Sequence, residues 1–168
     1  MKDKYKHLLN LAANIISLVV EACMFGWVWY VLYVPMLDKA NKLWNRGNWA
    51  VIGIYVLFVF FFTKILGGYQ IGYMRISDII LSQILAVILA MVVAYLEICL
   101  VANDYLPPQP LLLMTVTEII FIVPWVILVR KAYTRLYPPR QMLVIYGNYS
   151  PDDLIAKINT RKDKYNIC

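Results

Sequence analysis

The sequence has few charged residues and few of the side chains that most often perform catalysis or bind metals. Only 15% of its 168 residues are charged and 62% are hydrophobic, whereas a soluble domain carries about 25% charged residues. The single histidine, His7, and the three cysteines, Cys23, Cys99 and Cys168, show no metal-ligand spacing. No Ser/His/Asp group and no Cys/His pair can be recognised. These shortages favour an integral membrane protein, and we expect no catalytic, cofactor-binding or metal-binding residue in this chain.

The sequence is dominated by long runs of apolar residues. The run Ile79–Val101 contains 23 residues, and at about 1.5 Å per residue a helix of that length crosses a hydrocarbon core of about 30 Å. Ser77 or Asp78 is its predicted start. The runs together predict an all-α membrane protein with a four-helix transmembrane domain over residues 1–136 and spans at about 8–34, 49–66, 79–101 and 111–129. An interfacial aromatic belt is predicted from Trp27, Trp29, Tyr30, Trp44 and Trp49.

Polar side chains recur inside these spans at spacings of three and four residues, which places them on single helical faces. All three glutamates of the protein lie in predicted spans, where a carboxyl group costs on the order of a few kcal/mol. The intramembrane polar set comprises Asn10, Asn14, Glu21, Gln83, Glu97, Thr115 and Glu118. We interpret these residues mainly as interhelical hydrogen-bonding groups, with a proton or substrate path through the bundle as the alternative.

On the third span, small residues occupy the helical face between Gln83 and Glu97. Ala86, Ala90 and Ala94 recur every four residues, and small side chains at this spacing let another helix backbone approach closely. The stripe therefore predicts a helix-packing face. It could serve either the bundle itself or a homo-oligomer of this chain.

Lysine and arginine are distributed unequally between the two ends of the spans. Nine lie near one end, with three at the other, in the loop at 35–48. The positive-inside rule then places both termini in the cytoplasm. The cations predicted at the cytoplasmic leaflet are Arg75, Arg130, Lys131 and Arg135. We interpret them as topology signals that contact anionic membrane lipid, so the net charge of +6 does not indicate nucleic-acid binding.

The character of the chain changes after Pro138 and Pro139. Strand-forming residues at 142–146 precede Gly147, and Ser150 opens a predicted short helix, with a further strand at 165–167. Only one glycine stands in the strand–helix turn and no G-x-G-x-x-G pattern is present, so a structural turn is favoured and nucleotide binding stays open. A lone strand and helix have no core of their own, and we expect residues 137–168 to be the truncated start of a larger domain.

Three segments resemble one bacterial family. They are Gly67–Asp78 (GGYQIGYMRISD) running into Ser82 and Gln83, Pro107–Leu112 (PPQPLL), and Arg140–Gly147 (RQMLVIYG). The family is the membrane-bound polyprenyl-phosphate sugar-1-phosphate transferases, or exopolysaccharide glycosylphosphotransferases. The resemblance implies four transmembrane helices in the inner membrane, a cytoplasmic Rossmann-like domain beginning at residue 137, and a C-terminal catalytic module.

The resemblance also implies a reaction. The catalytic module of this family uses an Asp-Glu pair, Mg²⁺ and a re-entrant membrane helix. It moves a sugar-1-phosphate from a UDP-sugar to undecaprenyl phosphate, which starts exopolysaccharide, capsule or O-antigen synthesis. The present sequence ends before that module, so no catalytic residue is carried over and Mg²⁺ is expected only there.

Two other interpretations stay open. A small four-span transporter, or a flippase for lipid-linked sugars, could use Glu21 as its ionisable centre. An adaptor could serve assembly alone and dimerise through the Ala86, Ala90 and Ala94 face.

The predicted topology can be tested with a reporter enzyme that is active only in the periplasm. Fused after Arg140, the reporter should stay inactive, because the charge distribution places that residue in the cytoplasm. An active fusion would invert the topology.

Overall fold

The computed structural model describes residues 2–37, 45–70, 74–136, 140–142 and 165–167. Four long helices dominate this part of the chain: α1 (Lys2–Val28), α2 (Asn45–Ile65), α3 (Ile76–Ala102) and α4 (Gln109–Leu136). A π-helical turn at Trp29–Tyr33 and a 3-10 turn at Val34–Met36 extend α1. Each of the four contains a segment that is long and apolar enough to cross a membrane. The prediction of four spans is confirmed.

The helix ends differ from the predicted ones. The α3 helix begins at Ile76 after Arg75, whose backbone is extended and whose side chain makes no capping bond. Ser77 and Asp78 therefore lie inside the first turn, and the prediction that one of them starts the helix is wrong. At the other end of the chain, α4 continues to Leu136, past the apolar run that ends at Val129. Charged residues do not stop a helix once its last turns leave the hydrocarbon, so the apolar run underestimates the helix length.

The outer surface of the bundle is apolar. Leu81, Leu100 and Leu113 are 70%, 82% and 69% exposed, and many other large apolar side chains are exposed along all four helices. A soluble protein rarely exposes contiguous apolar surface on this scale. The exposed side chains face lipid, and the protein is a multi-pass membrane protein.

The helices pack in antiparallel order, α1 and α3 each against both α2 and α4. One end of the bundle carries the N-terminal part of α1 and the α2–α3 turn, and we call it the terminal end. The opposite end carries the α1–α2 and α3–α4 connections, and we call it the loop end. An aromatic cluster that includes Phe25, Trp29 and Tyr33 fills the loop half, and a smaller aliphatic cluster around Ile79 and Ile122 fills the terminal half.

The α2–α3 turn packs tightly against the terminal end. Gly67 has a φ of 77°, a backbone conformation that favours glycine. The Gly68 amide donates a 2.9 Å hydrogen bond to the Thr63 carbonyl oxygen. A Cβ atom on Gly68 would lie 2.8 Å from Thr63 Cγ2 and 3.0 Å from Gln83 Cγ. The two glycines are therefore needed for the shape of the turn and for its close contact with α3.

Two short strands follow the helices. The strands β1 (Arg140–Met142) and β2 (Tyr165–Ile167) pair in parallel, with Arg140 opposite Tyr165 and Met142 opposite Ile167. The first strand begins two residues before the predicted one, and the second coincides with its prediction. Gly147 and the predicted helix from Ser150 lie outside the described residues.

The close packing of Gly68 gives a stability prediction. Gly68→Ala should lower the free energy of unfolding by about 1–3 kcal/mol, because the new methyl group overpacks Thr63 and Gln83. Gly53→Ala is the matched control: a Cβ atom there meets nothing within 4 Å, and alanine is the better helix former by about 1 kcal/mol. Thermal unfolding in detergent would measure both variants, and an equal loss in the two would contradict the packing argument.

Candidate functional site

A buried polar contact joins α2 to α4. The Tyr55 hydroxyl lies 2.9 Å from Glu118 Oε1 and 3.0 Å from Glu118 Oε2. Tyr55 is 1% exposed and Glu118 is fully buried. A phenol has one proton to donate, so it bonds one carboxyl oxygen at a time and can exchange between the two. The contact ties α2 to α4 in the buried interior, where a hydrogen bond is stronger than in water.

Glu21 lies beside this pair. On α1 the Ser17 hydroxyl donates a 3.1 Å hydrogen bond to Glu21 Oε1. Glu21 interacts electrostatically with both Tyr55 and Glu118. We call Ser17, Glu21, Tyr55 and Glu118 the carboxyl cluster. Three helices thus contribute to one buried polar group near the middle of the bundle.

An aromatic stack bounds the carboxyl cluster on the side of the loop end. The rings of Phe25 and Tyr55 are nearly parallel, with their centroids 4.2 Å apart. Phe25 is one helical turn beyond Glu21 on α1, and it is fully buried. The stack fixes the orientation of the Tyr55 ring and hence the position of its hydroxyl at Glu118.

Two amide side chains connect the α2–α3 turn to the bundle. Asn10 Nδ2 on α1 donates a 2.8 Å hydrogen bond to the Tyr69 carbonyl oxygen. Gln83 Nε2 on α3 donates a 3.1 Å hydrogen bond to the Gly68 carbonyl oxygen. Among the described residues, Asn10 Oδ1 and Gln83 Oε1 are buried with no hydrogen-bond partner. The amide pair satisfies two backbone carbonyls of the turn and leaves two oxygens available as acceptors.

Tyr69 links the turn to the carboxyl cluster electrostatically. The residue lies between α2 and α3, outside the membrane-spanning segments, and its side chain is partly buried. Burial raises the pKa of the Tyr69 phenol above its ordinary value, and the Glu21 carboxyl adds to that rise. The Tyr69 side chain is thus within electrostatic range of Glu21.

The other predicted polar residues are less connected. The Thr115 hydroxyl donates to the Leu111 carbonyl oxygen of its own helix at 2.9 Å. Asn14 is half-buried on α1. Glu97 is half-buried on α3, and its Oε2 atom has no hydrogen-bond partner within the described part of the chain. Of the predicted polar set, the structure brings Glu21 together with Glu118, and brings Asn10 and Gln83 together at the α2–α3 turn.

The alanine stripe is interior. Ala86 and Ala90 are fully buried and Ala94 is 2% exposed. The chain's own helices cover these residues, so the stripe is not available as a surface for a second copy. Ala90→Leu would therefore report on packing within the bundle.

The predicted leaflet cations fall into two groups. Arg75, Lys131 and Arg135 are exposed at the terminal end. Arg130, by contrast, is only 4% exposed, so its side chain belongs to the bundle interior and does not lie on the leaflet surface with the others. The charge pattern placed all four cations together, but it could not predict that Arg130, the first cation after the apolar run, is buried.

Sequence reasoning missed Tyr55 and misplaced Trp29. Of the predicted aromatic belt, Trp27, Tyr30 and Trp49 are exposed and Trp44 lies outside the described residues. Trp29 is fully buried and donates a 3.1 Å hydrogen bond to Asn48 Oδ1. Tyr55 carried a weak signal, because it provides a hydroxyl group in the middle of an apolar span. A buried hydroxyl at that depth needs a partner, and Glu118 was the available carboxyl group.

An apolar cavity of about 650 Å³ lies between α1 and α4 near the loop end. Its walls include Val20, Met24, Trp27, Leu113 and Met114. Walls of this composition suit hydrocarbon and offer little to a polar ligand. None of the four residues of the carboxyl cluster is among the residues that line this cavity.

The described residues contain no group of three or more His, Cys, Asp or Glu side chains that could hold a metal ion. Cys23 and Cys99 are free thiols within apolar helices.

No protein-family model, curated protein or solved structure matches this chain. The contacts that the structure shows at the carboxyl cluster are hydrogen bonds from Ser17 and Tyr55 to buried carboxyl groups.

The Tyr55–Glu118 contact gives the second stability prediction. Tyr55→Phe should lower the free energy of unfolding in detergent by about 1–3 kcal/mol, because it leaves a buried carboxyl group without its donor. Tyr105→Phe, at a residue that is 89% exposed, should have no measurable effect. The double variant Tyr55→Phe/Glu118→Leu should lose less than the sum of the two single variants, and strict additivity would show that the hydrogen bond contributes nothing.

Proposed function

We propose that this chain is the membrane anchor and N-terminal part of a bacterial polyprenyl-phosphate sugar-1-phosphate transferase. The whole enzyme moves a sugar-1-phosphate from a UDP-sugar to undecaprenyl phosphate and so initiates exopolysaccharide, capsule or O-antigen synthesis. The anchor spans the inner membrane four times with both termini in the cytoplasm. The substrates and Mg²⁺ bind a catalytic module that follows this chain.

The self-contained bundle is the observation that carries this proposal. The contacts described above are internal to the bundle: Tyr55 joins α2 to Glu118 on α4, and Asn10 and Gln83 join α1 and α3 to the α2–α3 turn. Its alanine stripe is buried within the chain. A bundle that uses its intramembrane polar groups for its own cohesion is suited to hold another module at the membrane.

The region after α4 supports the same proposal. Parallel strands need a crossover connection of about a dozen residues or more, and 22 residues separate β1 from β2. A parallel pair with a connection of that length is compatible with the first strand–helix–strand unit of a Rossmann-like domain. In this proposal the chain passes from α4 into that domain on the cytoplasmic side.

Charge at the terminal end fits a module that acts on a lipid phosphate. Arg75, Lys131 and Arg135 are exposed there. Cations close to a membrane surface attract anionic headgroups, by about 1 kcal/mol for each Lys or Arg. They would keep the terminal end against the leaflet in which the lipid phosphate resides.

A transporter or lipid-linked-sugar flippase is the second candidate. The observation in its favour is the carboxyl cluster, since intramembrane carboxyl groups often mark ion or proton paths. Against it, Ser17 and Tyr55 occupy the two carboxyl groups with hydrogen bonds. The discontinuous helices that line many transporter sites are also missing from the described spans, which run as continuous helical segments.

The reading frame beyond Cys168 distinguishes these candidates. A long continuation with a basic segment that contains an Asp-Glu pair would support the transferase. A stop codon directly after Cys168, in a gene whose product is fully functional, would support the transporter.

The Glu21→Gln variant of the full-length protein tests the anchor role. Glutamine keeps a hydrogen-bond acceptor for Ser17, so transfer of sugar phosphate to undecaprenyl phosphate in isolated membranes should stay within about twofold of wild type. Membrane levels of the protein, measured in parallel, control for folding. Near-complete loss of transfer at normal protein levels would show that Glu21 acts directly.

A further inference from the structure

The apolar cavity between α1 and α4 is confined to one half of the membrane. Its α1 wall lies within residues 19–32, about 20 Å along the helix axis, and its α4 wall within residues 110–117, about 10 Å. The membrane-crossing segments are Leu8–Met36 and Gln109–Leu136, so both walls lie between the middle of the bundle and its loop end. Half of a hydrocarbon core of about 30 Å is about 15 Å. The cavity is therefore about as long as one leaflet is deep.

The walls offer almost no polar partner to a ligand. None of the lining residues carries a charge or a side-chain amide, and Thr117 alone among them carries a hydroxyl. That hydroxyl already donates a 2.6 Å hydrogen bond to the Met114 carbonyl oxygen of its own helix. A polar group placed in the cavity would lose its water without a matching hydrogen bond. The occupant that these walls fit is hydrocarbon.

A second helix is too wide for the cavity. A helix about 10 Å across occupies roughly 1,600 Å³ over a length of about 20 Å, more than twice the cavity volume of about 650 Å³. A hydrocarbon chain is only about 4 Å wide, the contact distance between carbon atoms. Another helix would therefore lie over the cavity without entering it, whereas a single lipid chain enters.

The cavity can be reached from the surrounding lipid and has a buried floor. Trp27 on the α1 wall and Leu113 on the α4 wall are 64% and 69% exposed, whereas Met114 is only 3% exposed. A chain that enters between the two walls thus exchanges contacts with other lipids for contacts with protein. Met24 and Met114 have flexible thioether side chains, which adapt to a chain of irregular shape.

We propose that this cavity binds one acyl chain of a phospholipid from the leaflet at the loop end. The methyl end of the chain lies against Val19 and Val20 near the middle of the membrane, and the part nearest the headgroup lies against Leu32. Packing against Met24 and Met114 retains this chain longer than the lipids that cover the outer surface of the bundle. The site is built from α1 and α4 of one chain and does not rest on the transferase assignment.

Photo-crosslinking of the full-length protein tests the proposal. The protein is reconstituted in phosphatidylethanolamine and phosphatidylglycerol vesicles that contain a phospholipid with a diazirine at the methyl end of one acyl chain. It is then transferred into probe-free detergent, irradiated and mapped by mass spectrometry. We expect at least about tenfold more crosslinking at Val20 and Cys23 than at Leu89, which is 39% exposed at the middle of α3. Equal crosslinking at the two places would show only ordinary surface lipid and would overturn the proposal.

The position of the diazirine tests the leaflet. With the diazirine close to the headgroup, crosslinks should move from Val20 toward Trp27 and Leu32, because the chain enters from the loop end. Movement in the opposite direction would place the lipid in the other leaflet. Crosslinking that joins two protein chains through this face, without lipid, would show that a second copy covers it. Either result would contradict the proposed occupant.

Filling the cavity should release the chain. Val19→Phe/Cys23→Phe adds two rings at exposed positions of the wall, so phospholipid retained after detergent exchange, counted by native mass spectrometry, should fall by about tenfold. Val92→Phe/Val116→Phe is the matched control, because it adds two rings at valines that are 50% and 55% exposed outside the cavity. The control should retain phospholipid as wild type does. Equal retention in the two double variants would overturn the proposal.

Discussion

A hydrocarbon bilayer offers no water to a polar group, and every feature of this bundle's interior depends on that constraint. The Tyr55 phenol and the Glu118 carboxyl would each be costly alone at membrane depth, and together they form a hydrogen bond between α2 and α4. The same reasoning accounts for the two amides that bind the turn carbonyls. In lipid, apolar surface does not drive helices together, so polar contacts and close packing specify which helices meet.

The two halves of the bundle satisfy this constraint differently. At the loop end, aromatic side chains serve the connections: the Tyr33 hydroxyl donates to the Pro107 carbonyl oxygen at 3.0 Å, and the Tyr95 hydroxyl donates to the Leu106 carbonyl oxygen at 3.1 Å. Their rings fill the core while their hydroxyls reach the loop backbone. At the terminal end, the Asn10 and Gln83 amide groups donate hydrogen bonds to the backbone of the α2–α3 turn. The loop-end connections are thus held by tyrosine hydroxyls, whereas the α2–α3 turn is held by amide side chains.

The spans and the polar faces could be predicted from the sequence, because the hydropathy of a segment and the spacing of its residues are set within that one segment. Which face meets which helix is a property of the assembled bundle. Asn10 and Gln83 could be placed on interior faces from their spacing, but their shared attachment to the α2–α3 turn could not be foreseen. The role of Tyr55 could not be predicted for the same reason, because no polar residue lies three or four positions from it on its own span and its partner lies on another helix. Trp29 was predicted at the membrane interface by residue type, and its bond to Asn48 draws it into the core.

The π-helical turn at Trp29–Tyr33 controls the winding of α1. Apart from Val28, the buried residues of α1 and its extension recur at every fourth position: Ala13, Ser17, Glu21, Phe25, Trp29, Tyr33 and Leu37. On a regular α-helix each step of four residues drifts by about 40° around the axis, so a stripe of this length would wind away from its neighbours. The wider π turn takes up more residues per revolution and cancels part of that drift. One additional residue thus keeps Trp29 and Tyr33 in phase with Phe25, and it sets the side of the bundle from which the chain departs toward α2.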